Sequence, residues 1–151
     1  GKVDDCTTIV APDEGGRVRC ELLNRALECG SPVIYFRKVR TAKSVTSELV
    51  GVPTERAIVY DDILDTGDTL VACCERLVEA GAKRISVFAT HGLFTGSNWH
   101  RLWELNVERI TCTDSVPGSL PPDARIFSID CAPTLSAALE SVAGPKEFAH
   151  V

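Results

Sequence analysis

The sequence contains no methionine and is poor in aromatic residues, with two Trp, two Tyr and five Phe among 151 positions. It also lacks an excess of positive charge: 16 Lys and Arg stand against 21 Asp and Glu, a formal net charge of −5. Such a chain has no long-range attraction to a phosphate backbone or an anionic bilayer, so neither nucleic acid nor membrane is expected as a partner. No apolar run approaches the ~20 residues of a membrane-spanning helix. Gly1-Lys2-Val3-Asp4-Asp5 lacks the form of a signal peptide, and the expected location is cytoplasmic. With no methionine, Gly1 is expected to be either an added residue or an internal start, as in a domain cut from a longer chain. No GxGxxG, GxxxxGK[S/T] or GxSxG pattern is present, which leaves a dinucleotide fingerprint, a Walker-type loop and a hydrolase elbow unsupported. Seven cysteines occur without CxxC spacing and are expected to be small buried side chains rather than disulfide or metal ligands.

The length suits one domain that buries roughly 68–70% of its extended-chain surface. Short β-rich runs alternate with helical periodicity along it. Strands are expected at 7–11, 33–36, 57–60, 84–90, 110–113 and 126–129. Val18, Leu22, Ala26 and Leu27 recur at helical spacing, as do Leu70, Cys73, Cys74, Leu77 and Val78 before Gly81. Ser97 or Asn98 is placed to cap a short helix carrying Trp99, Leu102 and Trp103, two tryptophans expected to pack it onto the sheet or a neighbouring subunit. Pro133 opens a last helix with Leu135, Ala138, Leu139 and Val142. The alternation predicts an α/β fold with a mostly parallel central sheet covered by helices on both faces. Arg37 to Ser44, with four basic residues, reads as a mobile basic loop.

Ligands of such folds collect at the carboxyl ends of strands, where Asp13, Asp61, Asp62, His91 and Asp114 emerge. The strongest local pattern runs from Tyr60 to Leu70. Two carboxylates follow an apolar strand, and Asp65-Thr66-Gly67-Asp68-Thr69 opens a helix whose first N–H groups have no helical acceptors. Those donors and the Thr66 and Thr69 hydroxyls can cradle a phosphate, with Gly67 allowing close backbone approach. A simple capped helix start explains the turn but leaves the repelling Asp61–Asp62 pair without a purpose.

Ile58 to Leu70 resembles the phosphoribosyl diphosphate signature of the type I phosphoribosyltransferase fold. Further segments narrow the resemblance to the carboxyl-terminal domain of ribose-phosphate diphosphokinases: Ala11-Pro12-Asp13-Glu14-Gly15-Gly16, Lys38-Val39-Arg40, Ala89 to Gly96, Thr111 to Pro117, and Ile129 to Pro133. The resemblance implies that residues 1–151 are a single phosphoribosyltransferase-like domain, the carboxyl-terminal half of a larger two-domain protein. It further implies that Asp65, Thr66, Gly67, Asp68 and Thr69 bind the 5-phosphate of ribose 5-phosphate, with Asp61 and Asp62 at the ribose hydroxyls directly or through Mg²⁺. Lys38 and Arg40 would be the catalytic cations of a closing loop, with Arg37 an alternative first member, and Asp13 would add a water-mediated metal contact. Asp68 stands where the family usually has a small residue, so its carboxylate is expected to point away from the anion and leave only its N–H to participate. His91 would contact a phosphate or hold the neighbouring turn.

The implied reaction is diphosphoryl transfer from ATP to ribose 5-phosphate, giving phosphoribosyl diphosphate. ATP would bind only with a second domain present, and a homo-oligomer is expected. Two alternatives stay open: a nucleobase phosphoribosyltransferase, and a non-catalytic regulatory homologue associated with the synthetase.

Overall fold

A computed structural model describes residues 7–28, 30, 32–40 and 45–143. Cys6, Cys29, positions 41–44 of the basic segment and His150 lie outside the described residues. The chain runs β1 (Thr7–Ala11), α1 (Arg17–Ala26), β2 (Val33–Arg40), β3 (Val45–Val50), β4 (Arg56–Leu64), α2 (Asp68–Glu79), β5 (Arg84–Gly92), a 3₁₀ helix (Asn98–Glu104), β6 (Val107–Thr113), β7 (Ile126–Ile129) and α3 (Ala132–Ala143). The seven strands form one sheet in the order β3-β2-β1-β4-β5-β6-β7. All neighbouring pairs are parallel except β2 and β3.

β1 lies inside the sheet, third from the β3 edge, and all five of its residues are buried, as suits an unbroken Thr-Thr-Ile-Val-Ala run with neighbours on both sides. Chain order reverses beside it, because β1 leads outward to β2 while β4 returns to its other side and leads to β5. The crevice at this switch point is where an open parallel sheet receives its ligand. One core cluster lies under α2 and the 3₁₀ helix, built from Val59, Leu70, Leu77, Val87, Trp99, Leu102 and Ile110 among others. A smaller cluster under α1 contains Ile9, Ala11 and Cys20, with Leu23, Tyr35 and Tyr60 packed against it.

Several expectations change. The basic segment is not a loop through Arg40: β2 continues to that residue and pairs with β3, from Tyr35↔Val50 to Arg40↔Val45. β4 and β5 run past Tyr60 and Thr90 to Leu64 and Gly92, carrying Asp61, Asp62 and His91 within the strands. In α1 the buried position is Cys20, whereas Val18 and Leu22 are 62% and 56% exposed. Every described side chain of α3 is exposed, including Leu135, Leu139 and Val142. Cys20, Cys73, Cys74 and Cys112 are buried free thiols, as expected, but Cys131 is half-buried and its thiol meets Asp114 Oδ1 at 2.8 Å. No helix among the described residues is long and apolar enough to cross a membrane.

Candidate functional site

β4 delivers its carboxyl end to the switch point, and Asp65-Thr66-Gly67 turns the chain into α2. Gly67 occupies the left-handed region, with φ 91° and ψ 0°. A Cβ there would lie 2.6 Å from Trp99 Cα and 2.7 Å from Trp99 Cβ. The close approach that requires glycine is therefore made to the backbone of the 3₁₀ helix, not only to a ligand. The N-cap of α2 is Gly67, which has no side chain to cap the first N–H groups of the helix. The Asp68 N–H reaches Thr66 Oγ1 at a long 3.4 Å, and among the described residues no protein acceptor takes the N–H groups of Thr66, Gly67 or Thr69. Free N–H groups at the first turn of a twelve-residue helix form a donor set for an anion.

The nearby carboxylates turn to other partners. Asp65 Oδ1 accepts the Thr95 hydroxyl. Asp68 accepts the Thr66 hydroxyl on Oδ2 at 2.9 Å and the Asn98 amide on Oδ1 at 2.5 Å. A cavity of ≈ 80 Å³ remains, lined by residues Ile63 to Gly67 with Thr69 and Leu70.

Thr69 also lines a second cleft of ≈ 240 Å³, together with Pro12, Asp13, Phe36, Lys38, Ser47 and Cys73. The two spaces share Thr69 as a lining residue. Lys38 is opposite Ser47 in the β2–β3 ladder, and both line this cleft. Arg37 takes the other face, where its guanidinium pairs with Glu48 at 2.9 Å. Strand alternation thus separates the two candidates for the first basic residue and puts Lys38 at the cleft. Arg40 is the last residue of β2. Cys73 is not a ready thiolate, because burial pushes its pKa well above the usual value.

At the end of β4 the two aspartates have different surroundings. Burial pushes the Asp61 carboxyl up to about 6, with the charges of Asp62 and Asp13 adding to the shift. Burial opposes ionisation of Asp62 as well. The Asp61 hydrogen bond and the Arg19 guanidinium overcome it and hold Asp62 below the ordinary carboxylate range. Arg19 reaches across from α1 to Asp62 Oδ2 at 3.2 Å, while Asp61 Oδ1 accepts the Asp62 N–H at 2.9 Å.

The expected Mg²⁺ contacts are Asp61 and Asp62, with Asp13 acting through water rather than as a third direct ligand. Among the described residues no three His, Cys, Asp or Glu side chains converge as metal ligands. Asp13 spends Oδ1 on the Gly16 N–H at 2.8 Å, and Asp62 is engaged by Arg19. The adjacent Asp61–Asp62 pair, one member carrying a raised pKa, suits a cation that is also held by ligand oxygens.

His91 Nδ1 lies 2.7 Å from Ser115 Oγ, and Ser115 and Thr113 both donate to the Thr90 carbonyl. His91 thus holds the turn after β6. Asp114 Oδ1 accepts the Cys131 N–H and ties that turn to the start of α3. Arg19, Ser47, Thr95 and Asn98 join the site without having been singled out from the sequence. Thr95 falls inside the family-like stretch. Asn98 reads as a helix cap, and Arg19 and Ser47 carry no local signal.

A family model described as the phosphoribosyl synthetase-associated domain matches residues 27–144. The chain belongs to this family. It is 34% identical over 135 residues to the ribose-phosphate pyrophosphokinase of Aquifex aeolicus, covering 89% of this chain and 43% of the relative. The crystal structure of phosphoribosylpyrophosphate synthetase from Mycobacterium smegmatis superposes with a TM-score of 0.74 at 27% identity, covering 91% of this chain and 45% of that one. The Giardia lamblia APRTase, solved with 9-deazaadenine, shares the fold at a TM-score of 0.53 and 20% identity, over 81% of this chain and 67% of its own. The phosphoribosyl synthetase-associated chain thus spans a little under half the length of the pyrophosphokinase relatives it matches, and its seven-stranded sheet is of the type I phosphoribosyltransferase kind.

Proposed function

We propose that this chain is the carboxyl-terminal half of a ribose-phosphate diphosphokinase and that its switch-point crevice binds ribose 5-phosphate. One observation carries the reading: the N–H groups of Thr66, Gly67 and Thr69 have no protein acceptor among the described residues, and Thr69 also lines the cleft that holds Asp13 and Lys38. The 5-phosphate occupies the donor turn formed by Asp65, Thr66, Gly67, Asp68 and Thr69, to which Asp68 contributes its backbone N–H alone and not its carboxylate. Asp61 and Asp62 accept the ribose 2- and 3-hydroxyls or, with substrate oxygens, hold Mg²⁺, and Asp13 assists through water. Bound there, Mg²⁺ would neutralise charge on the diphosphate.

In the intact protein the ribose 1-hydroxyl oxygen attacks the β-phosphorus of ATP. The bond from that phosphorus to the α–β bridging oxygen breaks with its electron pair leaving on AMP, and the hydroxyl proton passes to solvent. Lys38 supplies positive charge beside the transferred group, with Arg40 at the end of the same strand as its partner. A cytoplasmic, oligomeric enzyme fits this reading.

Calorimetry with ribose 5-phosphate and Mg²⁺ tests the site, and AMP formation by the intact protein tests the reaction. Lys38→Ala is expected to cut AMP formation on the order of 100-fold while ribose 5-phosphate affinity stays within about twofold. A folded protein without affinity for ribose 5-phosphate would sink the ligand assignment. Binding without AMP formation would assign the chain to a regulatory homologue, and release of diphosphate from phosphoribosyl diphosphate with a nucleobase would assign it to the transferases.

A further inference from the structure

An anion cradle with a carboxylate on its own first helical residue poses a physical problem. Asp68 opens α2, and its N–H lies in the donor turn. If its side chain swung toward the bound phosphate, two like charges would face each other at short range, which opposes binding. The carboxylate is instead claimed on both oxygens: Oδ2 by the Thr66 hydroxyl at 2.9 Å and Oδ1 by the Asn98 amide at 2.5 Å. Asn98 is held in turn. Its Oδ1 faces Arg101 Nη1 at 3.4 Å, and Arg101 pairs with Glu75 of α2 at 2.5 Å. With the amide oxygen turned to Arg101, the NH₂ group is presented to Asp68. The segment that carries Asn98 is locked to the loop by the contact of Gly67 with the Trp99 backbone.

We propose that Asn98 is a positioning residue for anion binding: through Asp68 it holds a carboxylate off the phosphate cradle, and this clasp sets the affinity of the site. The inference rests on the reading of the Asp65–Thr69 turn as a phosphate site. It adds that a residue thirty positions away tunes the turn without touching the ligand. Asn98 acts only by occupying Asp68, so its contribution must disappear when Asp68 has no carboxylate.

A double-mutant cycle with ribose 5-phosphate as the probe, read by calorimetry on the intact protein, tests this. Asn98→Ala is expected to weaken binding on the order of tenfold. Asp68→Ala should bind at least as tightly as the unmodified protein, and adding Asn98→Ala to it should change affinity less than about twofold. Asn98→Lys, which offers Asp68 a cation in place of an amide, should keep or improve affinity. An equal loss from Asn98→Ala in both backgrounds would show a merely structural role and overturn the clasp, as would an unchanged affinity in Asn98→Ala or weaker binding in Asp68→Ala. These failures leave the unmodified protein's affinity intact. If the unmodified protein itself failed to bind, the phosphate-site reading would fall, and the clasp with it.

Discussion

The turn between β4 and α2 is held from three directions. Its backbone presses on Trp99, Asp65 receives the Thr95 hydroxyl, and Asp68 is gripped by Asn98. The β2–β3 pair, which brings Lys38 to the same crevice, lies at the sheet edge, and among the described residues β3 pairs with β2 alone. One half of the proposed site is thus fixed by packing against a second loop, and the other hangs on a backbone ladder. A pre-shaped turn suits a dianion whose donors must be in place beforehand, while an edge pair is free to adjust around a moving group. Substitutions in the turn should therefore disturb stability and binding together, and substitutions in the β2–β3 pair should separate them.

Gly67→Ala is the largest expected perturbation. The methyl group meets backbone atoms at under 3 Å, and the residue must keep a positive φ. Strain and overpacking together cost about 2–5 kcal/mol. For a domain of this size that corresponds to a fall in Tm of roughly 6 °C or more, with ribose 5-phosphate binding lost in parallel. An unchanged Tm in thermal unfolding would remove the claim that the turn is braced by the 3₁₀ helix.

Asp61→Asn comes next and acts through pH. The folded-state pKa of Asp61 is raised to about 6 from an ordinary value near 3.9. A raised carboxylate pKa means that the native state holds the proton more tightly than the unfolded state. The protein therefore loses stability as pH climbs from about 4 to 6 and stays penalised above that. The amide removes the penalty. Asp61→Asn should be more stable than the parent at pH 7 to 8, by about 1 kcal/mol once solvent screening is allowed for, and equal to it below about pH 4. Binding that uses Asp61 should weaken at the same time. Urea midpoints across this range decide the matter, and a stability gain that does not change with pH would show that burial of the charge is not its origin.

What the sequence revealed follows the same division. The turn from Asp65 to Thr69 was legible as a distinct helix start because its parts are contiguous: an apolar strand, two carboxylates, and a Thr-Gly-Asp-Thr run within thirteen residues. The buried strands β1, β4 and β5 were legible for the same reason, since each is an apolar run in a central position. β3 was not, because Val45-Thr46-Ser47-Glu48-Leu49-Val50 is a mixed edge strand that earns its structure only by pairing with a basic neighbour. The contacts of Asn98 with Asp68 and of Thr95 with Asp65 each span thirty residues and depend on two adjacent strand ends arriving side by side. α2 and α3 make the point in another way. Both show apolar residues at helical spacing, yet Leu70 and Leu77 are buried while Leu135 and Leu139 are more than half exposed. Periodicity shows that a helix has an apolar face and says nothing about what covers it.

Arg37→Ala carries the smallest expected effect and is the sharpest test of the β2–β3 pair. Arg37 and Lys38 are neighbours of like charge, so a basic loop closing on substrate could use either one. The ladder separates them: Arg37 faces Glu48 across an exposed pair, and Lys38 lines the cleft with Asp13 and Thr69. An exposed pair of this kind contributes little to stability. Arg37→Ala should therefore leave Tm within about 1 °C and AMP formation within about twofold, against the far larger loss of activity from Lys38→Ala. Equal losses from the two substitutions would mean that the β2–β3 ladder twists or opens during turnover and presents both faces to the substrate. The β2–β3 pair would then be the element that closes over the site, its register a resting arrangement. Unequal losses would fix Lys38 as the cation that the β2–β3 ladder holds in place before substrate arrives.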